Sequence, residues 1–365
     1  MVGYWTDGRI RKSKSRRNYY IQLIELEVSH FINTVLVVGL GSIGRRHVEI
    51  IKNLFPEINI VVLRHKRCDK NDTDKLGLYK CVTSIDKAIA TNPQACIIAN
   101  PATMHIEVAE KLANNGINLL IEKPISNSSK GIRALIDTCN KNNVVLMTAY
   151  NLRFLPSLIE FKKQLQAKKI GNIYSIRSEI GQYLPSWRPD SDYRNGVSAN
   201  KYLGGGVLLE LSHEIDYLRW IFGSVNWVKA HISKQSGLDI DVEDSANIIL
   251  GFKSIGVGEL TASLNMDFIR HDTTRKCFVI GEKGTLLWDG FLGKVKYFAK
   301  GDNDWSTIFS SKPDKNYTYI EEIKSFFSSI ESNKFPCISG DDGMQVVTIV
   351  EAIKKSSSID SIVYL

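Results

Sequence analysis

A glycine fingerprint that directly follows an apolar strand is the feature of this chain that most constrains its fold. Residues 35–38 are all apolar, and glycines stand at positions 39, 41 and 44. In this spacing the first glycine permits a tight turn, the second lets the backbone approach a pyrophosphate, and the third lets the following helix pack against the strand. We therefore predict a dinucleotide site whose phosphates lie at the start of that helix, against Gly39, Gly41, Ser42, Ile43 and Gly44. The alternative is a glycine-rich turn in an α/β protein that binds no nucleotide.

The end of the next predicted strand, residues 58–63, bears on the choice between the two nicotinamide cofactors. NAD-selective folds place an Asp or Glu there to bind the ribose 2′-hydroxyl. Here Arg64 stands twenty residues after Gly44, and the basic run continues to Arg67 with no acid before Asp69. Because a guanidinium accommodates a 2′-phosphate, the sequence favours NADP(H), with NAD(H) as the second candidate. A solvated basic surface is the competing interpretation.

A second apolar strand in the same region ends in a lysine. Residues 119–121 are apolar and are followed by Glu122, Lys123 and Pro124. Open α/β sheets bind ligands beyond the carboxyl ends of their strands, and a partly desolvated lysine there can relay a proton or polarise a hydroxyl that loses hydride. We expect Lys123 to be catalytic, and Glu122 to hold it in place beside the cofactor. The alternative is a surface lysine whose ammonium extends from the strand end into water.

The pattern of strands and helices predicts the fold class α/β. Short apolar strands alternate with helical stretches over residues 34–150, which is typical of a doubly wound parallel sheet of the Rossmann type. A chain of 365 residues exceeds the ~250–300 residues that a single core usually supports. We therefore predict a second domain over residues 151–365, and a mobile basic extension over residues 1–33.

Composition and charge exclude several classes of function. The net charge is +8, three units of which fall in residues 1–33. No basic stripe is interleaved with aromatic residues, so nucleic acid is not predicted as a partner. No apolar run approaches the ~18 residues of a membrane span, and no signal-peptide core lies near the N-terminus. None of the six cysteines forms a CxxC pair, which predicts reduced thiols, no metal site and a cytoplasmic protein.

The predicted second domain carries its own cluster of polar residues. Three consecutive glycines precede an amphipathic pattern that predicts one helix over residues 207–222. Glu210, His213 and Tyr217 share one face of that helix. Asp216, three residues after His213, is positioned to orient the imidazole ring. Burying polar side chains costs free energy unless they are hydrogen-bonded, so this cluster indicates a functional role. The alternative is that His213 is an ordinary histidine at the edge of the core, hydrogen-bonded within the protein.

Two further segments are expected to face the substrate. Residues 150–156 cross from one predicted domain to the other, where ligand clefts form preferentially. Residues 181–194 are dense in aromatic residues, arginines and prolines, whose rings and guanidinium groups stack on a sugar or base and bind phosphate. An ordered loop or an oligomer contact is the alternative for this second segment. The predicted substrate contacts are Tyr150, Arg153, Trp187, Arg188, Tyr193 and Tyr217.

The motifs, taken in order, resemble those of the Gfo/Idh/MocA oxidoreductases, which include glucose–fructose oxidoreductase and inositol dehydrogenases. They are the fingerprint with its following Arg-Arg-His, the segment Asn-Pro-Ala-Thr-Met-His at residues 100–105, and Glu-Lys-Pro at residues 122–124. The resemblance extends from about residue 34 to the C-terminus. It implies a C-terminal α/β domain with a large open, mainly antiparallel sheet, which commonly mediates dimers or tetramers in the family.

The resemblance also implies roles for particular residues. Lys123 corresponds to a lysine near the nicotinamide and the substrate hydroxyl, and the Lys123–Pro124 bond is expected to be cis. His213 corresponds to a catalytic general acid/base. Many relatives carry Asp four residues before this histidine, whereas Leu209 stands there in this chain, so Glu210 is the candidate replacement. The cofactor pocket is implied to be lined by Asn100, Pro101 and His105.

Together these features predict an NAD(P)-dependent oxidoreductase that transfers hydride between nicotinamide and a secondary hydroxyl or keto carbon of a sugar. Residues 181–194 resemble a subgroup linked to bacterial surface-sugar biosynthesis, so a nucleotide-activated or amino sugar is the leading substrate class. A cyclitol dehydrogenase of the inositol type is one alternative, and a non-catalytic dinucleotide-sensing regulator of the same fold is another. The expected partners are a small-molecule sugar and further copies of this chain in a homodimer or homotetramer.

Overall fold

The computed structural model describes residues 32–65, 70–253 and 259–365. Most of the predicted basic extension, residues 1–33, lies outside the described residues. So do residues 66–69, which include the last two residues of the basic run. The strands are β1 (Thr34–Val38), β2 (Asn59–Leu63), β3 (Lys80–Val82), β4 (Ala95–Ile98), β5 (Asn118–Glu122), β6 (Leu146–Ala149), β7 (Ile173–Gly181), β8 (Val225–Ser233), β9 (Ser245–Phe252), β10 (Thr261–Asp267), β11 (Thr274–Gly281), β12 (Gly284–Asp289), β13 (Lys294–Ala299), β14 (Ser306–Ser310) and β15 (Val363–Tyr364). The α-helices are α1 (Ser42–Leu54), α2 (Lys70–Leu76), α3 (Ile85–Ile89), α4 (His105–Ala113), α5 (Ile132–Lys141), α6 (Pro156–Gln166), α7 (Val207–Glu210), α8 (His213–Phe222), α9 (Tyr317–Ser332) and α10 (Gly340–Ile359).

The first sheet has six parallel strands in the order β3-β2-β1-β4-β5-β6. This is the strand order of dinucleotide-binding doubly wound folds, whose ligand crevice opens between β1 and β4. The strands form where short apolar runs are covered on both faces, and every residue of β1 and β4 is buried. The predicted Rossmann sheet is therefore confirmed.

The second sheet has nine strands in the order β14-β13-β12-β11-β7-β10-β9-β8-β15. Its neighbouring strands are antiparallel except for β7 and β10, which are parallel. In β9, Ile248 and Leu250 are buried while Asn247 and Ile249 are exposed. This alternation is expected of an antiparallel sheet that is covered on one face only, and it confirms the large open sheet.

Two C-terminal helices pack against the first half of the chain, and α10 also reaches the second sheet. At its start α10 lies beside β6, where the Thr148 hydroxyl donates to the carbonyl oxygen of Ser339 at 3.2 Å. Near its end it meets β8, where the Ser356 hydroxyl oxygen accepts from the Ala230 N–H at 3.0 Å. Helix α9 packs across α1 through two phenylalanines whose ring centroids are 5.3 Å apart. The two halves of the chain are therefore in direct contact, and their division at residue 150 stays a prediction.

The helix predicted over residues 207–222 is interrupted at Leu211 and forms instead as α7 and α8. The carbonyl oxygen of Glu210 accepts a hydrogen bond from Nζ of Lys123 at 2.7 Å. The N–H of Glu214 bonds to the carbonyl oxygen of Leu211 at 3.2 Å, rather than to Glu210 four residues back as in a continuous helix. At this break a main-chain oxygen of the C-terminal half meets a lysine of the other half of the molecule, a contact that the periodicity of the sequence does not reveal.

The cysteines agree only in part with the expectation of reduced thiols. Cys96, Cys139, Cys277 and Cys337 are free, whereas Cys81 is disulfide-bonded. Among the described residues, no group of three or more His, Cys, Asp or Glu side chains is arranged to hold a metal ion. None of the helices in the described ranges combines the length and apolar content needed to cross a membrane.

Candidate active site

The three fingerprint glycines have different structural reasons to be glycine. Gly39 has a φ of +89°, and a Cβ there would lie 2.9 Å from the carbonyl oxygen of Ala99. A Cβ on Gly44 would collide with the carbonyl oxygen of Gly39. A Cβ on Gly41, in contrast, would meet no atom of the described residues within 4 Å. Packing inside the protein therefore explains Gly39 and Gly44, while the open space at Gly41 fits a pyrophosphate that approaches the backbone.

The start of α1 is suited to bind that pyrophosphate. Gly41 is the N-cap residue of α1, and no side chain in the described ranges caps this helix end. The first N–H groups of an α-helix have no partner inside the helix, and the helix dipole favours an anion there. Ser42 is exposed and Ile43 is half-buried in this first turn. The predicted phosphate contacts therefore lie together at one accessible helix end.

The loop after β4 borders the fingerprint. Gly39 lies against the main chain of Ala99 and Asn100. Pro101 precedes a short 3₁₀ turn that leads into α4. The side-chain oxygen of Asn100 is buried and has no hydrogen-bond partner within the described part of the chain. Because buried polar atoms are normally paired, this oxygen fits a contact to a bound dinucleotide.

His105 is buried against the main chain. Its ring is 1% exposed, with Nε2 2.8 Å from the carbonyl oxygen of Asn100 and Nδ1 3.2 Å from that of Pro124. Both ring nitrogens therefore face main-chain oxygens. His105 therefore contacts the main chain of the loop after β4 and of the turn at Pro124, and its place in the cofactor pocket stays a prediction.

Lys123 extends from the end of β5 toward the C-terminal half of the chain. The Lys123–Pro124 peptide bond is cis, as expected, and Nζ of Lys123 donates to the carbonyl oxygen of Glu210 at 2.7 Å. Glu122 does not hold this ammonium. Its Oε1 accepts from Nε2 of His47 at 2.7 Å, and its Oε2 accepts from the Lys123 main-chain N–H at 3.2 Å. Glu122 therefore acts on the lysine through the backbone.

His213 begins α8 close to Lys123. Burial, together with the positive charges of Lys123 and Arg275, holds the pKa of His213 well below its usual value. Its Nδ1 is buried and finds no hydrogen-bond partner among the residues described, and the Tyr150 ring lies edge-on to it with centroids 5.5 Å apart. The imidazole is therefore neutral near pH 7, which is the form that accepts a proton.

The two carboxylates expected to assist His213 are engaged elsewhere. Asp216 accepts from Arg153 at 2.9 Å and 2.6 Å, so the expectation that it orients the imidazole is wrong. Oε2 of Glu210 accepts from the Ser198 hydroxyl at 2.8 Å. Glu210 contributes its main-chain oxygen to Lys123, and its side chain holds the loop before α7.

Sequence reasoning missed an ion pair beside His213. Arg275 on β11 donates through Nε to Oε1 of Glu214 at 2.7 Å, and the Glu214 side chain is fully buried. The second oxygen of that carboxylate has no partner in the described residues. No signal in the sequence links the two residues, because they are sixty-one positions apart and come together only when β11 packs beneath α8.

The predicted substrate residues fall into two groups. Three are buried and paired inside the protein: the Tyr150 hydroxyl donates to Ser212 at 3.4 Å, that of Tyr217 shares a hydrogen bond of 2.6 Å with Ser178, and Arg153 binds Asp216. The other three lie in the loop after β7. There Trp187 donates to the carbonyl oxygen of Gln182 at 3.2 Å, Tyr193 accepts from the Asp239 N–H at 3.2 Å, and Arg188 is exposed.

Two family models match this chain. Residues 33–150 match the family model for the NAD-binding Rossmann fold of the Gfo/Idh/MocA oxidoreductases, and residues 162–365 match the model for the family's C-terminal α/β domain. Myo-inositol 2-dehydrogenase of Thermotoga maritima is 26% identical over 331 residues, which cover 88% of this chain and 95% of that protein.

Solved structures share the fold. Levoglucosan dehydrogenase in complex with NADH and levoglucosan superposes with a TM-score of 0.80 at 22% identity, covering 91% of this chain and 98% of that one. The WlbA dehydrogenase of Bordetella pertussis, in complex with NADH and UDP-GlcNAcA, has a TM-score of 0.74 at 19% identity and covers 92% of this chain and 98% of its own. The two family models together span nearly the whole described chain, with the fingerprint in one and His213 in the other. The chain therefore belongs to the Gfo/Idh/MocA family, and it is an NAD(P)-dependent dehydrogenase.

Proposed function

We propose that this enzyme transfers hydride between nicotinamide and a secondary hydroxyl or keto carbon of a sugar. The observation that carries the proposal is the contact between Lys123 and the break at Glu210, at 2.7 Å. This contact brings the Lys123 side chain, from the carboxyl end of β5, close to the neutral His213. A site with a hydride acceptor, a proton acceptor and a cation suits the oxidation of a CH–OH group.

The residues divide the chemistry as follows. A dinucleotide held by the fingerprint at Gly41 and by the loop at Asn100 would supply the hydride acceptor for the substrate carbon. His213 accepts the hydroxyl proton, since its imidazole is neutral. Lys123 stabilises the negative charge that develops on the substrate oxygen. In the reverse direction, the protonated His213 returns its proton to the carbonyl oxygen as hydride adds to the carbon.

The finer cofactor preference is for NADP(H), with NAD(H) as the alternative. Arg64 directly follows β2, where its N–H bonds to the carbonyl oxygen of Val82 at 3.1 Å, and no carboxylate stands at that strand end to bind a ribose 2′-hydroxyl. The two solved structures named above contain NADH. A substitution of Arg64 therefore tests whether this chain prefers NADP(H). Arg64→Asp should weaken NADP⁺ binding far more than NAD⁺ binding, as measured by titration of each cofactor.

The leading substrate class is a nucleotide-activated or amino sugar. Support comes from the exposed Arg188 and the aromatic residues near it in the loop after β7, since guanidinium groups bind phosphate and aromatic rings stack on sugars and bases. The WlbA structure holds UDP-GlcNAcA, a nucleotide sugar. A cyclitol is the alternative, because relatives in this comparison are named inositol dehydrogenases.

We also infer that the enzyme is cytoplasmic and assembles into a homodimer or homotetramer through the open face of the nine-stranded sheet. Side chains on that face include the exposed Arg177, Ile249 and Asn265. No described element covers this face, which leaves it free to form a symmetric interface between copies. Sedimentation of the purified enzyme measures the assembly, and a charge reversal at Arg177 should shift it toward monomer.

Turnover assays test the reaction. The enzyme is mixed with NADP⁺ or NAD⁺ and a panel of nucleotide sugars, free sugars and inositols, and the absorbance of reduced nicotinamide is followed. Lys123→Met and His213→Asn should each lower kcat by about 10²–10⁴-fold, with cofactor affinity retained. The matched controls are Lys130→Met and His231→Asn, both at exposed positions. Full turnover in either active-site variant contradicts the assigned roles.

A further inference from the structure

We propose that two buried histidines, His47 and His105, are positioning residues that hold the main chain at Lys123 from opposite sides. His47 acts through the carboxylate of Glu122, and His105 acts through the carbonyl oxygen of Pro124. The inference rests on the proposed function of Lys123, because it concerns how that side chain is aimed.

The turn after β5 needs such support because its backbone leaves the sheet. Pairing of β5 with β6 ends at Glu122, so the N–H of Lys123 lies beyond the ladder. Oε2 of Glu122 accepts from this N–H at 3.2 Å. A buried N–H that lacked this partner would cost the free energy of an unmade hydrogen bond. The carboxylate therefore replaces the missing strand partner.

His47 determines where that carboxylate lies. Its side chain is fully buried on α1, and Nε2 donates to Oε1 of Glu122 at 2.7 Å. The edge of the Tyr319 ring from α9 packs against the imidazole, with centroids 6.0 Å apart. The two oxygens of Glu122 are thus used by His47 on one side and by the Lys123 N–H on the other. This chain of contacts ties the dinucleotide-binding helix α1 to the lysine.

His105 secures the opposite side of the turn. Its two nitrogens face the carbonyl oxygens of Asn100 and Pro124 at 2.8 Å and 3.2 Å. Both partners only accept hydrogen bonds, and a neutral imidazole has one N–H. Burial lowers the pKa of His105, so the ring is neutral, and its proposed role at the turn uses the tautomer whose Nδ1–H donates to Pro124. The ring therefore stands between the loop after β4 and the lysine-bearing turn after β5, and it holds the turn through its one N–H.

The consequence for catalysis follows from geometry. Lys123 reaches Glu210 across the cleft at 2.7 Å, and a shift of its main chain moves the ammonium with it. A misplacement of about 1 Å in a reacting group typically costs about 10²-fold in rate. Loss of the hydrogen bond from His47 to Glu122, or of that from His105 to Pro124, should therefore lower kcat, while KM for the cofactor changes little.

Replacing a histidine by Asn or by Gln tests its two ring nitrogens one at a time. The amide nitrogen of Asn stands near the Nδ1 position and that of Gln near the Nε2 position. His47→Gln keeps the donor to Glu122, and His47→Ala removes it. His105→Asn keeps the donor to Pro124, and His105→Gln keeps only the donor to Asn100. His231→Gln, at an exposed position on β8, is the matched control.

Hydrogen–deuterium exchange of the full chain is the first readout, because it needs no substrate. Exchange of the peptide covering residues 119–127 should rise about tenfold or more in His47→Ala and in His105→Gln, and stay near wild type in His47→Gln and His105→Asn. Turnover should follow the same order. Equal exchange in all four variants, or a rise that is the same in peptides from β9, overturns the proposal.

The outcome is distinguishable from failure of the proposed function. If Lys123→Met keeps full turnover, the lysine has no catalytic role, and the exchange data then report only on the architecture of the turn. If Lys123→Met is inactive while His47→Ala and His105→Gln turn over normally, the proposed function stands and the positioning roles are refuted.

Discussion

Replacing Arg153 tests whether this arginine contacts substrate or holds the structure together. Its side chain is 6% exposed, and that of its partner Asp216 is 1% exposed. The guanidinium donates to both oxygens of Asp216 at 2.9 Å and 2.6 Å, and one nitrogen also lies 3.3 Å from Asp342. Arg153→Met keeps most of the side-chain volume but leaves the Asp216 carboxylate buried without its principal partner.

The expected cost follows from that burial. Breaking a buried ion pair by removing one partner typically costs about 3–5 kcal/mol, because the other charge stays buried and unpaired. One kcal/mol lowers Tm by roughly 2–4 °C in a domain of 150–250 residues. The Tm of Arg153→Met should therefore fall by roughly 6–20 °C. Adding Asp216→Leu removes the stranded charge, so the double variant should recover much of this loss.

Thermal unfolding followed by circular dichroism measures this effect, and turnover at low temperature reports function. The control is Arg194→Met, which breaks an exposed pair with Asp192 and should leave Tm unchanged. A variant Arg153→Met that unfolds at the wild-type temperature but has a greatly raised KM for the sugar would refute the structural role. Arg153 would then be the substrate contact predicted from the sequence.

Three further results are expected. Because the pKa of His213 is lowered, the limb of log(kcat/KM) that reports its deprotonation should lie below pH ~6.5; a limb above that value contradicts its role as proton acceptor. Glu322 has no hydrogen-bond partner among the described residues, and burial and the charge of Glu122 raise its pKa, so folding takes up a proton and stability falls as pH rises above ~4.3. Glu322→Gln should therefore raise Tm more at pH ~8 than at pH ~5, and an equal shift at both would argue against it. Gly41→Ala should weaken dinucleotide binding with little change in Tm, whereas Gly44→Ala should lower Tm because its Cβ meets a main-chain oxygen; calorimetry and thermal unfolding separate the two.

The sequence by itself determined the fold class, and it predicts where a dinucleotide and a catalytic lysine lie. Apolar runs short enough for strands, alternating with helical patterns, predict a doubly wound sheet, and the spacing of Gly39, Gly41 and Gly44 predicts the dinucleotide site. Lys123 is predicted to lie near that site, because the carboxyl ends of the strands in one parallel sheet meet at the same edge. These signals are local in the sequence, so they can be interpreted without knowing what packs against them.

Only the tertiary structure decided the partner of each polar side chain. Spacing along a helix brought Asp216 near His213, yet the carboxylate binds Arg153, sixty-three positions away. At the break between α7 and α8, the main-chain oxygen of Glu210 likewise binds Lys123, which is eighty-seven positions away. A buried charge pairs with whichever opposite charge the packing brings within reach, since leaving it unpaired costs several kcal/mol. Periodicity shows which face of an element is buried, whereas the groups opposite that face are chosen by contacts between distant segments.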